Sequence, residues 1–486
     1  QGTKPVEAGK VTSGVDMTFA PDGKSLDLAA LRAAYDRGCL TPTMVVDLVL
    51  RRIADQGDDG VWISRVSDTE VMGRAEALER ADEEARRRLP LYGVPFAVKD
   101  CIDVANMLTT VACPAFAYKA ARSATVADRL LAAGVILIGK TNLDQFASGL
   151  VGTRTPYGVA RNPFDARYIP GGSSSGSAVA VSTGLVTFAL GTDVAGSGRV
   201  PAAFNNIIGL KPTRGLISAA GCVPASRSLD CVSVLSLTAE DALAILRIAA
   251  SPDPRYPYSR AAQLGEPTAP DRFRFAVPSS SDLEFFGNGE WRAIYEDGAA
   301  RLRAMGGQKV EIDFAPFREV AALLYGGPLV AERLAGIRAF VAVHADAMHP
   351  VTRRIIEGGA RHSAADVFDA LHHLQELRVR TLKTWELADV LFLPTTGTIY
   401  TIAEVEADPI QLNTNLGFYT NFVNLLDLCA IAVPTGFDSA GLPVGISLIA
   451  PGFSETLLVG IGGEFHRRAR VPMGATRLPL PRAGSV

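Results

Sequence analysis

The sequence predicts an α/β fold. Helical segments alternate along the chain with short apolar runs that end in polar or charged residues, which is the pattern of sheets covered by helices. In addition, 48% of the 486 residues are hydrophobic and 20% are charged, so the chain is long and apolar enough to bury an extensive core. We therefore expect a globular protein of one large domain or two.

An N-terminal helical layer is predicted for residues 27–88. In this segment Leu28, Leu31, Val45 and Leu48 recur among charged residues at helical spacing. Such a pattern is typical of helices that bury one face against a core.

The helical pattern then gives way to strand and helix in alternation. Residues 94–98 form a short apolar strand that ends in the charges of Lys99 and Asp100. Residues 126–133 are helix-like and lead into a strand-like run at 135–140. The alternation predicts further elements at 178–190 (helix), 274–277 (strand), 291–305 (helix), 310–314 (strand), 391–394 (strand) and 446–450 (strand).

Two polar, glycine-rich clusters, at 171–177 and 191–199, are the most informative feature of the chain. Clusters of this composition are often flexible linkers. Here, however, apolar segments at 178–190 and 201–210 flank them, so both clusters are expected to lie inside the core region. A glycine-rich loop allows backbone N–H groups to converge on one point, as a developing oxyanion requires.

Composition excludes several classes of protein. The formal net charge of -3, with a pI near 6.2 and no basic run, provides no electrostatic basis for binding nucleic acid. No membrane association is expected, because the uncharged stretch 169–192 contains glycines, serines and Pro170. Six cysteines show neither a disulfide framework nor zinc-ligand spacing, which favours reduced thiols, no metal site and a cytoplasmic location.

A serine nucleophile in these clusters would need a base. All six histidines lie in the last 150 residues and are expected to be surface or packing residues. Lys99, at the end of its strand, leaves two alternatives open. Its amine either extends to solvent or is partly desolvated, which would lower its pKa and make a neutral amine available as a proton acceptor.

Three segments of the chain resemble the motifs of the amidase signature family. They are Gly93 to Asp100, Gly171 to Ser174, and the run Gly191 to Ala202 followed by Gly209 to Gly215, with Ser197 lying 24 positions after Ser173. The resemblance covers roughly residues 27–470 and implies a central mixed twisted sheet covered by helices on both faces. It also implies a Ser-Ser-Lys triad, in which Ser197 is the nucleophile, Ser173 the bridging serine after a cis peptide bond, and Lys99 the base.

The same resemblance implies an oxyanion hole built from backbone amides. The amides are those of Val194, Ala195, Gly196 and Ser197, and losing one such donor costs on the order of 3 kcal/mol in other enzymes. No metal or organic cofactor is implied. The chain departs from the commonest family pattern with Ala195 in place of a glycine and Gly198 in place of an isoleucine.

With these departures, the segment around Ser197 resembles the allophanate hydrolase branch of the family. Residues 140–154 and 227–233 resemble the same branch. The substrate implied is the small N-carboxylated urea anion, which is cleaved to ammonia and carbon dioxide. Tyr325 and Arg333, eight positions apart, resemble the pair that recognises this anion, and an arginine fork suits a carboxylate. From the residues alone, the alternative to substrate recognition is that Tyr325 packs in the core and Arg333 lies on a surface helix.

The domain organisation follows from the extent of the resemblance. We expect an N-terminal tail at 1–26, a catalytic domain at 27–470 and a C-terminal tail at 471–486, without the further C-terminal domain that allophanate hydrolases commonly carry. The family also suggests a homodimer. Competing functions are another amidase activity or that of a glutaminase-type amidotransferase, whereas a non-catalytic scaffold is disfavoured because all three triad positions are filled.

Overall fold

The computed structural model describes residues 23–481, and the parts of the predicted tails at 1–22 and 482–486 lie outside the described residues. Within this range the strands are β1 Trp62–Arg65, β2 Pro95–Lys99, β3 Leu108–Thr109, β4 Tyr118–Lys119, β5 Ile136–Thr141, β6 Phe188–Thr192, β7 Ile208–Lys211, β8 Val232–Ser236, β9 Phe273–Pro278, β10 Gly307–Ile312, β11 Val390–Pro394, β12 Leu428–Phe437 and β13 Pro443–Pro451. The α-helices are α1 Leu28–Asp36, α2 Pro42–Gln56, α3 Asp68–Glu79, α4 Glu83–Arg87, α5 Thr125–Ala132, α6 Ser175–Ser182, α7 Arg199–Phe204, α8 Ala239–Ala249, α9 Gly289–Ala304, α10 Ala315–Tyr325, α11 Ala331–His344, α12 Pro350–Gly358, α13 Ala364–Leu387, α14 Ile402–Ala407, α15 Gln411–Leu416, α16 Phe422–Leu425 and α17 Glu455–Ala469.

One mixed sheet of 11 strands forms the centre of the fold, in the order β1-β5-β2-β6-β8-β7-β12-β13-β11-β9-β10. Strands β5, β2 and β6 run parallel to one another, and β9 is parallel to both β10 and β11. The remaining neighbours are antiparallel. Strands β2, β5, β6, β7, β8 and β11 are buried at every residue, so both faces of the sheet are covered. The predicted α/β class, with a central mixed sheet, is confirmed.

Two predicted segments contain an element that periodicity did not show. The N-terminal layer at 27–88 holds four helices, but it also contains β1, which pairs with β5 at the edge of the sheet. The segment 178–190 is only half helical, because α6 ends before Gly184, whose φ of 70° favours glycine, and β6 then begins. Strands β8 and β12 were not predicted at all, because their short apolar runs do not differ from buried helix by periodicity.

The packed part of the chain extends beyond the expected domain limits at both ends. Leu26 is buried, and at the other end Val471 and Met473 are buried, with Met473 pairing with Leu478. No single helix among the described residues is long and apolar enough to cross a membrane. The bent pair Ala315–Tyr325 and Pro328–Ala347 reaches that length and apolar composition only when its two helices are taken together.

The segments predicted to carry the triad gather at one edge of the sheet. Lys99 ends β2 and Thr192 ends the neighbouring strand β6, and the two strands run parallel. The carboxyl ends of adjacent parallel strands meet at the same edge. The loop before α6 and the loop between β6 and α7, which hold the two glycine-rich clusters, therefore meet beside Lys99.

Candidate active site

The Lys99 side chain is fully buried and points into the glycine-serine loops. Its exposed fraction is 0%, and its Nζ donates to Ser173 Oγ at 2.7 Å and to Thr192 Oγ1 at 2.9 Å. Burial lowers the pKa of Lys99, although several carboxylates in the vicinity act in the opposite direction. Of the two alternatives for Lys99, the structure therefore supports the desolvated amine.

The loop that carries Ser173 is held tightly against its surroundings. The Gly172-Ser173 peptide bond is cis, and the carbonyl of Ser173 accepts from the amide of Asp144 at 3.1 Å. A Cβ at position 172 would lie 2.6 Å from the backbone nitrogen of Gly152 and would also collide with the Asp144 carboxylate. A glycine is therefore required next to Ser173.

The second cluster lies directly against the first. The amide of Ser174 donates to the carbonyl of Ser197 at 3.2 Å, and the Ser197 side chain is buried to 4% exposure. The amide of Thr192 also donates to Ser174 Oγ at 3.3 Å. Lys99, Ser173 and Ser197 thus belong to one contiguous site, although they are separated in the sequence.

A buried ion pair organises the loop that contains Ser197. Arg199 Nε donates to Asp193 Oδ2 and Arg199 Nη2 donates to Asp193 Oδ1, both at 2.9 Å. Both side chains have zero exposure. Burial alone would raise the pKa of Asp193, but Arg199 and hydrogen bonds from the loop lower it below its ordinary value. The amides of Gly196 and Gly198 donate to the same carboxylate at 2.8 and 3.1 Å, so Asp193 is the centre of this turn.

One of the four amides predicted to form the oxyanion hole has a hydrogen-bond partner in the turn itself. The amide of Gly196 is already engaged with Asp193, whereas the amides of Val194, Ala195 and Ser197 donate to no group in the described chain. Gly196 has a φ of 121°, and a Cβ there would lie 2.5 Å from Thr420 Oγ1. Gly196 therefore shapes the turn, and the oxyanion hole stays a prediction.

Arg333 and Tyr325, predicted to recognise an anion, are in contact with each other. Arg333 Nη2 donates to Tyr325 Oη at 2.7 Å, and the guanidinium lies 5.0 Å from the centre of the tyrosine ring. Arg333 is 3% exposed, so it is not a surface-helix arginine. Its Nη1 donates to Ser148 Oγ at 2.9 Å and to the carbonyl of Ala147 at 3.4 Å, which brings it to the segment after β5.

Comparison with known proteins identifies the family. The sequence model of the Amidase family matches residues 45–459. The chain belongs to the amidase family. It is 42% identical over 412 residues to the urea amidolyase of Saccharomyces cerevisiae, covering 84% of this chain and 22% of that protein. It is also 35% identical over 478 residues to a glutamyl-tRNA(Gln) amidotransferase subunit of Symbiobacterium thermophilum, covering 91% of this chain and 96% of that protein.

Solved structures agree with this assignment. A Kluyveromyces lactis allophanate hydrolase superposes with a TM-score of 0.88 and 38% identity, covering 96% of this chain and 76% of that one. The urea amidolyases are much longer proteins, and this amidase chain spans less than a quarter of their length.

Several residues that build this amidase site were not identified from the sequence. Thr192 is the second acceptor for Lys99, and Asp193 anchors the turn before Ser197. Both residues lie within the predicted cluster 191–199, but the sequence did not indicate what their side chains contact. Thr420 Oγ1, which donates to the carbonyl of Ala195 at 2.6 Å, and Asn424, whose amide donates to the carbonyl of Asp193 at 2.7 Å, come from the distant α16 region and carried no sequence signal.

The histidines of this amidase lie at surface or packing positions, and its cysteines are free thiols. His466 is fully buried, and burial lowers its pKa to about 3, so it is neutral. All six cysteines lie in the described range, and none forms a disulfide. No group of three or more His, Cys, Asp or Glu side chains that could hold a metal ion occurs between residues 23 and 481.

Replacing Asp193 with asparagine is expected to destabilise the fold. The change leaves Arg199 as a buried charge without its partner, which costs about 3–5 kcal/mol in the free energy of unfolding. Denaturant unfolding measures this loss. The matched control is Asp165→Asn, which breaks an ion pair whose Arg167 side chain is 80% exposed, and should cost far less than Asp193→Asn. Equal losses in the two variants would contradict the central role of Asp193.

Proposed function

We propose that this chain hydrolyses the terminal amide of allophanate, the N-carboxylated urea anion, to release ammonia and, after decarboxylation, carbon dioxide. The observation that carries the proposal is the environment of Arg333. Its guanidinium is buried, forms no ion pair with any described residue, and donates only to the neutral oxygens of Ala147, Ser148 and Tyr325. Its Nε has no partner in the described structure.

A buried guanidinium without a counter-ion is unfavourable by several kcal/mol. A small carboxylate that enters the site offsets this cost, and the arginine fork binds it with two parallel hydrogen bonds. A neutral amide does not provide this compensation. The charge of Arg333 therefore favours an anionic amide as the substrate.

The similar proteins support the same substrate. The chain resembles urea amidolyases and an allophanate hydrolase at 42% and 38% identity, respectively. Similarity to the glutamyl-tRNA(Gln) amidotransferase subunits is lower, at 30–35%.

We propose that acylation proceeds through Ser197. The neutral amine of Lys99 accepts the proton of Ser173, which in turn accepts the proton of Ser197 as its oxygen attacks the terminal carboxamide carbon. The 2.7 Å contact between Lys99 and Ser173, together with the lowered pKa of the amine, supports this direction of transfer. Backbone amides of Val194, Ala195 and Ser197 stabilise the oxyanion that forms.

The remaining steps follow from the same groups. The tetrahedral intermediate expels ammonia, which takes a proton returned from Lys99 through Ser173, and leaves an acyl-enzyme on Ser197. Water attacks this ester by the same relay and frees the N-dicarboxylated product. That product then loses carbon dioxide. No step needs a metal or an organic cofactor.

A substrate panel tests the proposal directly. Turnover of allophanate, malonamate, glutamine and a simple neutral amide is compared under identical conditions. Preference for the two small carboxylates by at least tenfold supports the assignment. Equal or better activity on glutamine favours the glutaminase-type alternative, for which the nearly full-length match to amidotransferase subunits is the supporting observation.

Removing the guanidinium of Arg333 should weaken binding of the anion more than it slows chemistry. We expect Arg333→Ala to raise KM for allophanate on the order of 100-fold, because charge-assisted hydrogen bonds are lost from a buried site. Arg338→Ala is the matched control, since Arg338 is exposed on the same helix α11. An unchanged KM in Arg333→Ala would remove the proposed role of this residue.

The homodimer and the cytoplasmic location implied by the sequence stay predictions. One feature of the surface supports self-association. Helix α13 exposes Phe368, Leu371, Val379 and Leu382 on one stripe, and a second copy covering this stripe would remove these side chains from water.

A further inference from the structure

Two buried arginines meet at Ser148. Arg333 Nη1 donates to the hydroxyl of Ser148 at 2.9 Å, and Arg154 Nη1 donates to the carbonyl of the same residue at 2.7 Å. Arg154 is 2% exposed, and its Nη2 donates to the carbonyl of Pro409 at 2.7 Å. Like Arg333, it forms no ion pair with a residue in the range 23–481, and its Nε has no partner there.

Arg154 closes the loop that presents Ser148. Its backbone carbonyl accepts from the amide of Gln145 at 2.7 Å, while its side chain binds the carbonyl of Ser148. The segment 145–148 is thus tied to Arg154 at both ends. Ser148 Oγ donates to the carbonyl of Phe146 at 3.3 Å, which leaves the oxygen lone pairs of the hydroxyl to accept from Arg333.

Carboxyl groups lie near the two guanidinium groups without forming ion pairs with them. Burial lowers the pKa of Arg154, Asp144 raises it and Arg333 lowers it further, so the two guanidinium groups act on each other. The carboxylate of Asp144 accepts from the amide of Arg154 at 3.0 Å. Asp230 interacts with Arg333, but burial raises the pKa of this carboxyl to about 7, so it is only partly ionised at neutral pH. Neither guanidinium forms an ion pair with a residue in the range 23–481, so both remain able to attract an anion.

We propose that Arg154 is a positioning residue for anion recognition, which acts through Ser148 to hold the guanidinium of Arg333 in its binding orientation. The inference rests on the proposed function, because it explains how the same site selects a carboxylate over a neutral amide. Arg154 forms the support, Ser148 is the contact between the two arginines, and Arg333 binds the carboxylate of the substrate.

The test separates KM from kcat in Arg154→Lys and Ser148→Ala. Lysine keeps the charge but cannot donate to Ser148 and Pro409 together, and alanine removes only the hydroxyl. We expect KM for allophanate to rise on the order of tenfold in each variant, with kcat changed less than about twofold and KM for a neutral amide unchanged. A parallel fall in kcat for both substrates would indicate a merely structural role and overturn the proposal.

A double-mutant cycle shows whether Arg154 acts through Arg333. In the Arg333→Ala background, Arg154→Lys should produce no further rise in KM, because the group it positions is gone. Independent, multiplicative rises would contradict the proposal. Arg161→Lys is the matched control, since Arg161 is exposed in the following loop.

Stability and inhibitor binding separate this inference from the proposed function. Thermal unfolding of Arg154→Lys and Ser148→Ala identifies any loss of fold, and Ser148→Ala remains informative if the buried arginine cannot be replaced. Calorimetry with malonate measures carboxylate binding without turnover. Suppose that malonate binds the native protein, that its affinity is lower in both variants, and that allophanate is not hydrolysed. In that case only the proposed function fails. If neither anion binds the native protein, both fail.

Discussion

Replacement of Ser197 with alanine is expected to abolish turnover while leaving the fold intact. The change removes the proposed nucleophile, and a covalent mechanism has no other hydroxyl in the same position. Loss of a serine nucleophile in other hydrolases lowers kcat on the order of 10⁶-fold. The Ser197 carbonyl, which accepts from the amide of Ser174, is unaffected, so the loops on both sides keep their contact.

Ammonia release from allophanate measures the effect, and denaturant unfolding verifies the fold. Ser281→Ala is the control, since Ser281 is an exposed serine outside the site. An intermediate trapped on Ser197 in the native protein, detected as added mass, and absent in Ser197→Ala would support the acyl-enzyme. Turnover by Ser197→Ala at the native rate would remove the triad assignment altogether.

Replacement of Lys99 with alanine should lower kcat by about 10⁴-fold, because the amine that contacts Ser173, and that we propose as the base, is lost. Lys99→Met separates this chemical effect from the cavity, since methionine fills most of the buried volume without an amine. Lys99→Arg is equally informative. Arginine fills a similar space but is not deprotonated in proteins, so it cannot accept the proton. Activity retained in Lys99→Arg would contradict the role of a neutral amine.

The pH profile provides the second part of this prediction. Activity requires the neutral amine, so kcat/KM should fall as pH decreases through the pKa of Lys99. Burial lowers this pKa from the ordinary value of lysine, and the falling limb should therefore lie below that value. Asp230, whose own pKa burial raises to about 7, acts in the opposite direction on Lys99 when ionised. Asp230→Asn should consequently move the falling limb to lower pH, and a shift to higher pH would contradict this electrostatic account.

The residues of the proposed triad were accessible to sequence reasoning for a local reason. Ser173 and Ser197 lie in polar, glycine-rich clusters that apolar segments flank, and Lys99 ends a short apolar strand. Each pattern is local, and the family resemblance then related the three positions. Elements with strong periodicity, such as α5 and β5, were likewise predicted close to their observed bounds.

The supporting residues were not accessible in this way. Thr420 contacts Ala195 from 225 positions away, and Asn424 contacts Asp193 across 231. Arg154 lay within a segment that resembled the family branch, but its contact with Ser148 depends on the path of the loop between them. No periodicity or spacing encodes such contacts.

By itself, the sequence determined the α/β class, the extent of the family resemblance and the positions of the side chains proposed to react, because these depend on local patterns and short motifs. Only the tertiary structure decided that Lys99 is desolvated, that the amide of Gly196 is occupied by Asp193, and that Arg333 is buried without a carboxylate partner among the described residues. The physical reason is that burial, electrostatic environment and hydrogen-bond occupancy are set by groups from distant parts of the chain, which only folding brings together.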